Sequence, residues 1–210
     1  MLEFTEYTKI LIGLIAIVNP LGAVPIFVAL THGIAKERRT TIVRTVVIAV
    51  FLILFAALLI GELLLAFFGI TVNSFRVGGG LLILLMAIPM MQARLSPVVH
   101  TQQEAEEGES KESVAVVPLA MPLLAGPGAI STVIVYTHKG TGLMHYLFIG
   151  LDILIVCFLL WLILKSVPWI TKHISQTGIN IFTRIMGLIL AAIAVEFIAN
   201  GMKGLFPVLA

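Results

Sequence analysis

The sequence predicts an all-α, polytopic membrane protein. It should have six transmembrane helices in a 3+3 inverted repeat, with discontinuous first and fourth helices. Three observations predict this. The 210 residues are 60% hydrophobic and only 11% charged, whereas soluble domains carry about a quarter charged residues. Apolar runs of about twenty residues recur, the length that crosses a bilayer core of roughly 30 Å. Two of those runs, one in each half of the chain, are broken by proline and glycine: "NPLGAVP" at 19–25 and "GPGAIST" at 126–132.

The first span is expected at 7–31. Its leading residues Glu3, Glu6 and Lys9 are not the basic start of a signal peptide, so the segment is expected to stay in the protein. A basic link over 36–45 leads into the second span, 40–68. The third span, 74–93, opens on "SFRVGGGLLILL". The stretch 96–113, "SPVVHTQQEAEEGESKES", is acidic and free of aromatics, and reads as a solvated linker rather than a partner-binding tail. Spans four to six are expected at 114–137, 143–167 and 179–203. The organisation is then a first three-helix repeat over 1–95, a polar linker over 96–113 and a second three-helix repeat over 114–210.

Lysine and arginine set the orientation of membrane spans. One face receives Lys36, Arg38, Arg39, Arg44, Arg94, Lys111, Lys165, Lys172 and Arg184; the other receives Lys9, Arg76, Lys139 and Lys203. The richer face is expected in the cytoplasm, with the linker, and both termini outside. The net charge of +2 and the lack of a basic stripe speak against nucleic acid. The single cysteine, Cys157, excludes an intrachain disulfide.

The repeat is visible across the linker. Setting Arg76 on Arg184 also sets Gly79 on Gly187 and Leu82 on Leu190 in "FTRIMGLILAAI" (182–193). The same offset, within one residue, sets Pro20 on Pro127. Three spans per half force opposed orientations, as in many secondary transporters.

The breaks suggest a site. Proline has no N–H and clashes with the preceding turn, and in lipid every freed backbone group needs a partner. Twelve residues separate Tyr7 from Asn19, and Val114 from Gly126. Each is about 18 Å of helix, so both breaks are expected near the midplane. A half-helix start offers N–H groups and a positive dipole end to a carboxylate; a half-helix end offers carbonyls to an ammonium. Candidate substrate-binding residues are Asn19, Pro20, Leu21 and Gly22 in the first break and Gly126, Pro127, Gly128 and Ala129 in the second. Asn19, Ser131 and Thr132 are expected to add side-chain hydrogen bonds. The competing reading of each break is a plain kink.

"AMPLLAGPGAIS", "NPLGAVPIF", the "FRVGGG" segment and "TRIMGLILAAIAVEFIANG" (183–201) resemble the MarC family of bacterial and archaeal inner-membrane proteins, including SnatA-type transporters. The resemblance covers nearly the whole chain except the linker. It implies six spans as a 3+3 inverted repeat with broken first and fourth helices. It also implies proton-linked transport of small neutral amino acids such as glycine and alanine across the inner membrane.

Other residues carry narrower expectations. Glu196 lies deep in the sixth span, and its repeat mate is Ile88. It is the proton-coupling candidate, with a structural pairing to Asn200 as the alternative. Glu62 and Asp152, nearer helix ends, read as interfacial or water-facing acids before relays. Arg76 and Arg184 are gating candidates, with snorkelling anchors as the alternative. The "GGG" at 78–80 is expected to allow close helix packing, and Asn73 and Asn180 to act as caps. The five histidines have no ligand spacing, and no hydrolase or phosphate-loop motif occurs. The chain is therefore expected to be no enzyme and to need no metal or cofactor. The expected partners are small neutral amino acids, protons (another cation being the alternative) and membrane lipid. The functional alternative is a non-transporting scaffold or regulator of the cell envelope.

Overall fold

In a computed structural model of the chain, residues 3–31, 34–92, 124–173, 175–206 and 208 are described. Among them every long element is a helix: α1 (Phe4–Val18), α2 (Val24–Leu30), α3 (Lys36–Phe67), α4 (Val72–Met91), α5 (Pro127–Thr137), α6 (Leu143–Lys165), α7 (Val167–His173) and α8 (Gln176–Leu205). Four of these, α3, α4, α6 and α8, are long and apolar enough to cross a membrane, and α5 is a shorter apolar helix. They correspond to expected spans two, three, five and six. The expected first span is α1 and α2 together, divided at 19–23. The linker 96–113 and the first half of the expected fourth span lie outside the described residues.

Local chemistry ends these helices where it should. Pro20 cannot donate to α1, and Asn19 takes the left-handed conformation at φ 47°, the one non-glycine with positive φ among the described residues. Pro168 likewise ends α6, leaving a turn at Ser166 before the short α7. Pro127 occupies the first turn of α5, where its missing N–H costs nothing. The caps of α4 and α8 are Thr71, accepting from the Ser74 N–H at 3.1 Å, and Ser175, accepting from the Gly178 N–H at 3.2 Å. This corrects the expectation for Asn73 and Asn180. Both helices start earlier than the apolar pattern implied, so these asparagines fall inside them.

The core joins α1, α3, α5 and α6 through fully buried residues such as Ile10, Leu14, Val50, Leu54, Val133, Ile153 and Val156. Beside it, α4 packs along its whole length against α8, which is ten residues longer. Asn73 and Val77 near the start of α4 meet Gly201 near the end of α8, and Met90 and Met91 meet Gly187 near its start. The pair is therefore antiparallel. Of the three expected packing glycines, Gly80 lies against the Ala194 carbonyl and Ile198, and Gly79 against Ser131; Gly78 faces open space. Large apolar side chains cover the outside, including Leu63, Phe67 and Leu143. Lipid is the solvent that suits such a surface.

Candidate substrate site at two helix breaks

The two breaks come together. A Cβ placed on Gly128 would lie 3.5 Å from the Ile17 methyl and 2.7 Å from Ile83. The last turn of α1 therefore touches the first turn of α5, with α4 behind both. The directions of the two helices follow from a buried contact at the other ends. The Tyr7 hydroxyl, in the first turn of α1, lies 2.8 Å from His145 Nδ1 at the start of α6. His145 Nε2 lies 3.1 Å from the carbonyls of Tyr136 and Thr137 at the end of α5. Carbonyls only accept, so Nε2–H donates to them and Nδ1 accepts from Tyr7. Hence α1 begins, and α5 ends, at one face of the protein. From that face, α1 runs 15 residues inward and α5 runs 11 residues outward. At 1.5 Å per residue these are about 22 Å and 16 Å, so both breaks lie well in from that face.

At the meeting point, opposite helix ends are side by side. Past Asn19, whose N–H donates to Ile15, the chain turns, with Ala23 N–H reaching Asn19 O and Val24 N–H reaching Leu21 O. Among the described residues, the Ala16, Ile17 and Val18 carbonyls receive no backbone donor. Opposite them, Ile130 N–H donates to Gly126 O, while the N–H groups of Gly128 and Ala129 meet no described acceptor. Because the two helices run in opposite directions, the carbonyls at the negative end of α1 and the N–H groups at the positive end of α5 stand side by side and point the same way, away from the face at which α1 begins.

The polar side chains of the breaks serve the backbone instead. Asn19 Oδ1 accepts from Gly22 N–H at 3.2 Å, and a Cβ on Gly22 would collide with that carboxamide. Thr132 is fully buried, and its hydroxyl donates to Gly128 O at 2.8 Å. Ser131 is buried against Gly79. Pro20, Gly126 and Ala129 are buried, Leu21 is half-buried, and Pro127 is exposed.

A cavity of about 370 Å³ lies between α1, α5 and α8. Lys9, Gly13 and Ile17 line it from α1, Thr132 and Tyr136 from α5, and Glu196 from α8. Of the ten candidate substrate-binding residues only Thr132 lines it, in the second turn of α5; Ile17, in the last turn of α1, brings the cavity next to the breaks, but Asn19–Gly22 and Gly126–Ala129 do not line it. The sequence reading passed over Lys9, Gly13 and Tyr136 as site residues. The signal was present as four-residue spacing, which sets Lys9–Gly13–Ile17 and Thr132–Tyr136 each on one helix face. Beyond the cavity, Lys9 forms an ion pair with Glu6 at 2.6 Å, and this contact holds the Glu6 carboxyl below its ordinary range.

The acids differ from their expected settings. Glu196 is exposed at the cavity, and Asn200 Nδ2 donates to its carboxylate at 2.7 Å. The structural pairing considered above is therefore present. Glu62 lies 3.0 Å from His138 Nδ1 at the end of α5, in keeping with an interfacial acid. Asp152 is the correction. It is only 6% exposed, and its Oδ2 has no partner among the described residues. Its position in α6 turns it toward the other helices, on the same stripe as Ile149, Ile153 and Val156. Of the gating candidates, Arg76 is half-buried near the start of α4 and Arg184 is exposed near the start of α8, so they stand at opposite faces and not together. Among the described residues no cluster of His, Cys, Asp and Glu is arranged to hold a metal.

Comparison with known proteins gives one consistent answer. The profile of the family described as "MarC family integral membrane protein" matches residues 4–206. The chain is 42% identical to the UPF0056 membrane protein YhcE of Escherichia coli, over 98% of this chain and 95% of that protein. It is 38% identical to the UPF0056 membrane protein YvbG of Bacillus subtilis, over 98% of each. It is also 38% identical to the UPF0056 membrane protein MJ1677 of Methanocaldococcus jannaschii, over 91% of this chain and 93% of that one. No solved structure matches it significantly.

Proposed function

The chain is a multi-pass membrane protein of the MarC family, and we propose that it is a secondary transporter of small neutral amino acids, coupled to protons. One observation carries this reading: the carbonyl end of α1 and the N–H end of α5 adjoin well in from one face, beside a cavity. A zwitterion needs both kinds of partner a few ångströms apart. An ammonium suits the Ala16–Val18 carbonyls, and a carboxylate suits the N–H groups of Gly128 and Ala129. The flanking Asn19, Pro20, Leu21 and Gly22, with Gly126 and Pro127, shape the turns that present them. Asn19 and Thr132 act by holding those turns, and Ser131 by packing against Gly79 behind them. A cavity of about 370 Å³ has room for a small amino acid. A scaffold has no use for such a pair of breaks.

The same reading takes the architecture as six spans in two opposed three-helix repeats, 1–95 and 114–210, joined by a cytoplasmic linker over 96–113. The antiparallel α4–α8 pair supports it, because opposed halves require their third and sixth spans to run in opposite directions. The positive-charge bias supports an inner-membrane protein with both termini outside. Glu196 lines the cavity next to the breaks and is the proton carrier in this reading. Arg76 and Arg184, at opposite faces, are gates to the two sides.

The test is uptake of labelled glycine and alanine into proteoliposomes, with and without an inward proton gradient. Accumulation should need the gradient, and amidated substrates should lose most of their uptake. No uptake above protein-free vesicles for any neutral amino acid would defeat the proposal.

A further inference from the structure

A second cavity, about 530 Å³, opens at the opposite end of the molecule, between α2, the start of α3, the end of α6 and α7. Lys36, Arg39 and Lys165 line it together with the apolar Phe27, Val43 and Leu164. Among the described residues no acid lines it, and none of the three cations has a carboxylate partner. The Arg39 Nε is buried without a hydrogen-bond partner among the described residues. Lys165 instead rests 4.5 Å above the Trp161 ring. The start of α3, where Lys36 stands, has no side-chain cap, so its first N–H groups add to the positive field. Like charges gathered beside low-dielectric walls raise a positive potential that an anion relieves.

Two further features define that anion. The cavity is apolar as well as basic, so its occupant has a greasy part. The cavity also sits where headgroups lie: Lys36 begins α3, Lys165 ends α6, and the chain's two tryptophans, Trp161 and Trp169, both occur at this end. We propose that this cavity binds the phosphate of an acidic phospholipid, with Lys36, Arg39 and Lys165 on the phosphate and the glycerol and acyl groups against Phe27, Val43 and Leu164. A soluble phosphate shares the anion chemistry but leaves the apolar lining unused. The inference is independent of the transport reading, because it involves neither break.

The test is thermal unfolding of the full chain in neutral detergent, titrated separately with phosphatidylglycerol, phosphatidylcholine and inorganic phosphate. Phosphatidylglycerol should raise the melting temperature saturably. Replacing Lys36, Arg39 and Lys165 together by Gln should weaken its apparent affinity on the order of a hundredfold, and Lys165→Gln alone about fivefold. Thr40→Glu places an acid in the cavity from an exposed position and keeps every cation; it should weaken binding at least as much as Lys165→Gln. It serves as the test if the triple variant does not fold. An equal shift with phosphatidylcholine, or an unchanged affinity for phosphatidylglycerol in Lys165→Gln and Thr40→Glu, would overturn the site. An equal saturable shift with inorganic phosphate, lost in those variants, would overturn the lipid assignment in favour of a soluble phosphate.

Discussion

Asp152 and Glu196 have the reverse of the surroundings their sequence positions imply. The sequence pattern sets Asp152 nearer a helix end and Glu196 deeper, but each lies nine residues from the nearest end of its helix; Asp152 is buried with one oxygen unpartnered, whereas Glu196 faces a cavity and is held by Asn200. An acid in a membrane helix is a functional candidate by default, so the two need separating. Glu196→Gln keeps the shape and removes the titration. It should abolish gradient-driven accumulation and leave substrate counterflow intact. Asn200→Ala should shift the pH profile of uptake without abolishing it. If Glu196→Gln accumulates normally while Asp152→Asn does not, the proton passes through α6 and the assignment to Glu196 is wrong. A simpler expectation holds for Tyr7→Phe. It leaves His145 Nδ1 buried without its donor, which should lower stability by about 1–3 kcal/mol, read as a fall in melting temperature in detergent.

At the scale of elements, two helix contacts depend on a missing side chain. In the α4–α8 pair, a Cβ on Gly80 would lie 2.9 Å from the Ala194 carbonyl oxygen and one on Gly187 would lie 2.8 Å from the Met91 nitrogen. Backbone cannot move aside as a side chain does. Gly80→Val and Gly187→Val should therefore each cost about 1–3 kcal/mol, whereas Gly78→Val, with nothing within 4 Å, should fold normally apart from its helix propensity. Equal melting temperatures for all three would refute this packing. The break contact is different. The space beside Gly128 already holds Ile83, so Gly128→Val disturbs packing as well as any ligand. It should reduce transport more than Ser131→Ala, and Ile83→Ala should restore folded protein in the Gly128→Val background. Normal transport by folded Gly128→Val protein would reduce the breaks to plain kinks.

At the scale of the molecule, the expected orientation makes a direct prediction. In a Cys157→Ala background, a single cysteine within 96–113 should resist impermeant thiol reagents applied to intact cells, while one at the C-terminus should react. Equal labelling at both would defeat this orientation; a reactive linker with a protected C-terminus would reverse it and move the basic cavity to the outer face.

Much of this molecule was legible in the sequence because membrane helices leave strong one-dimensional traces. Apolar runs marked α3, α4, α6 and α8, and "NPLGAVP" and "GPGA" marked where α1 stops and α5 starts, since proline's missing N–H acts locally whatever surrounds it. Family membership followed from the same motifs. What the tertiary structure decided was neighbourhood. No local rule brings Ile17 against Gly128, sets Lys9 and Glu196 around one cavity, buries Asp152 among helices, or gathers Lys36, Arg39 and Lys165 from two distant segments. Those contacts depend on how helices rotate about their axes and which faces meet. The apolar faces of α3 and α6 are nearly alike on every side when lipid is the solvent, so hydrophobicity alone does not choose among them. Close packing does, through small differences such as a glycine that admits a neighbouring backbone.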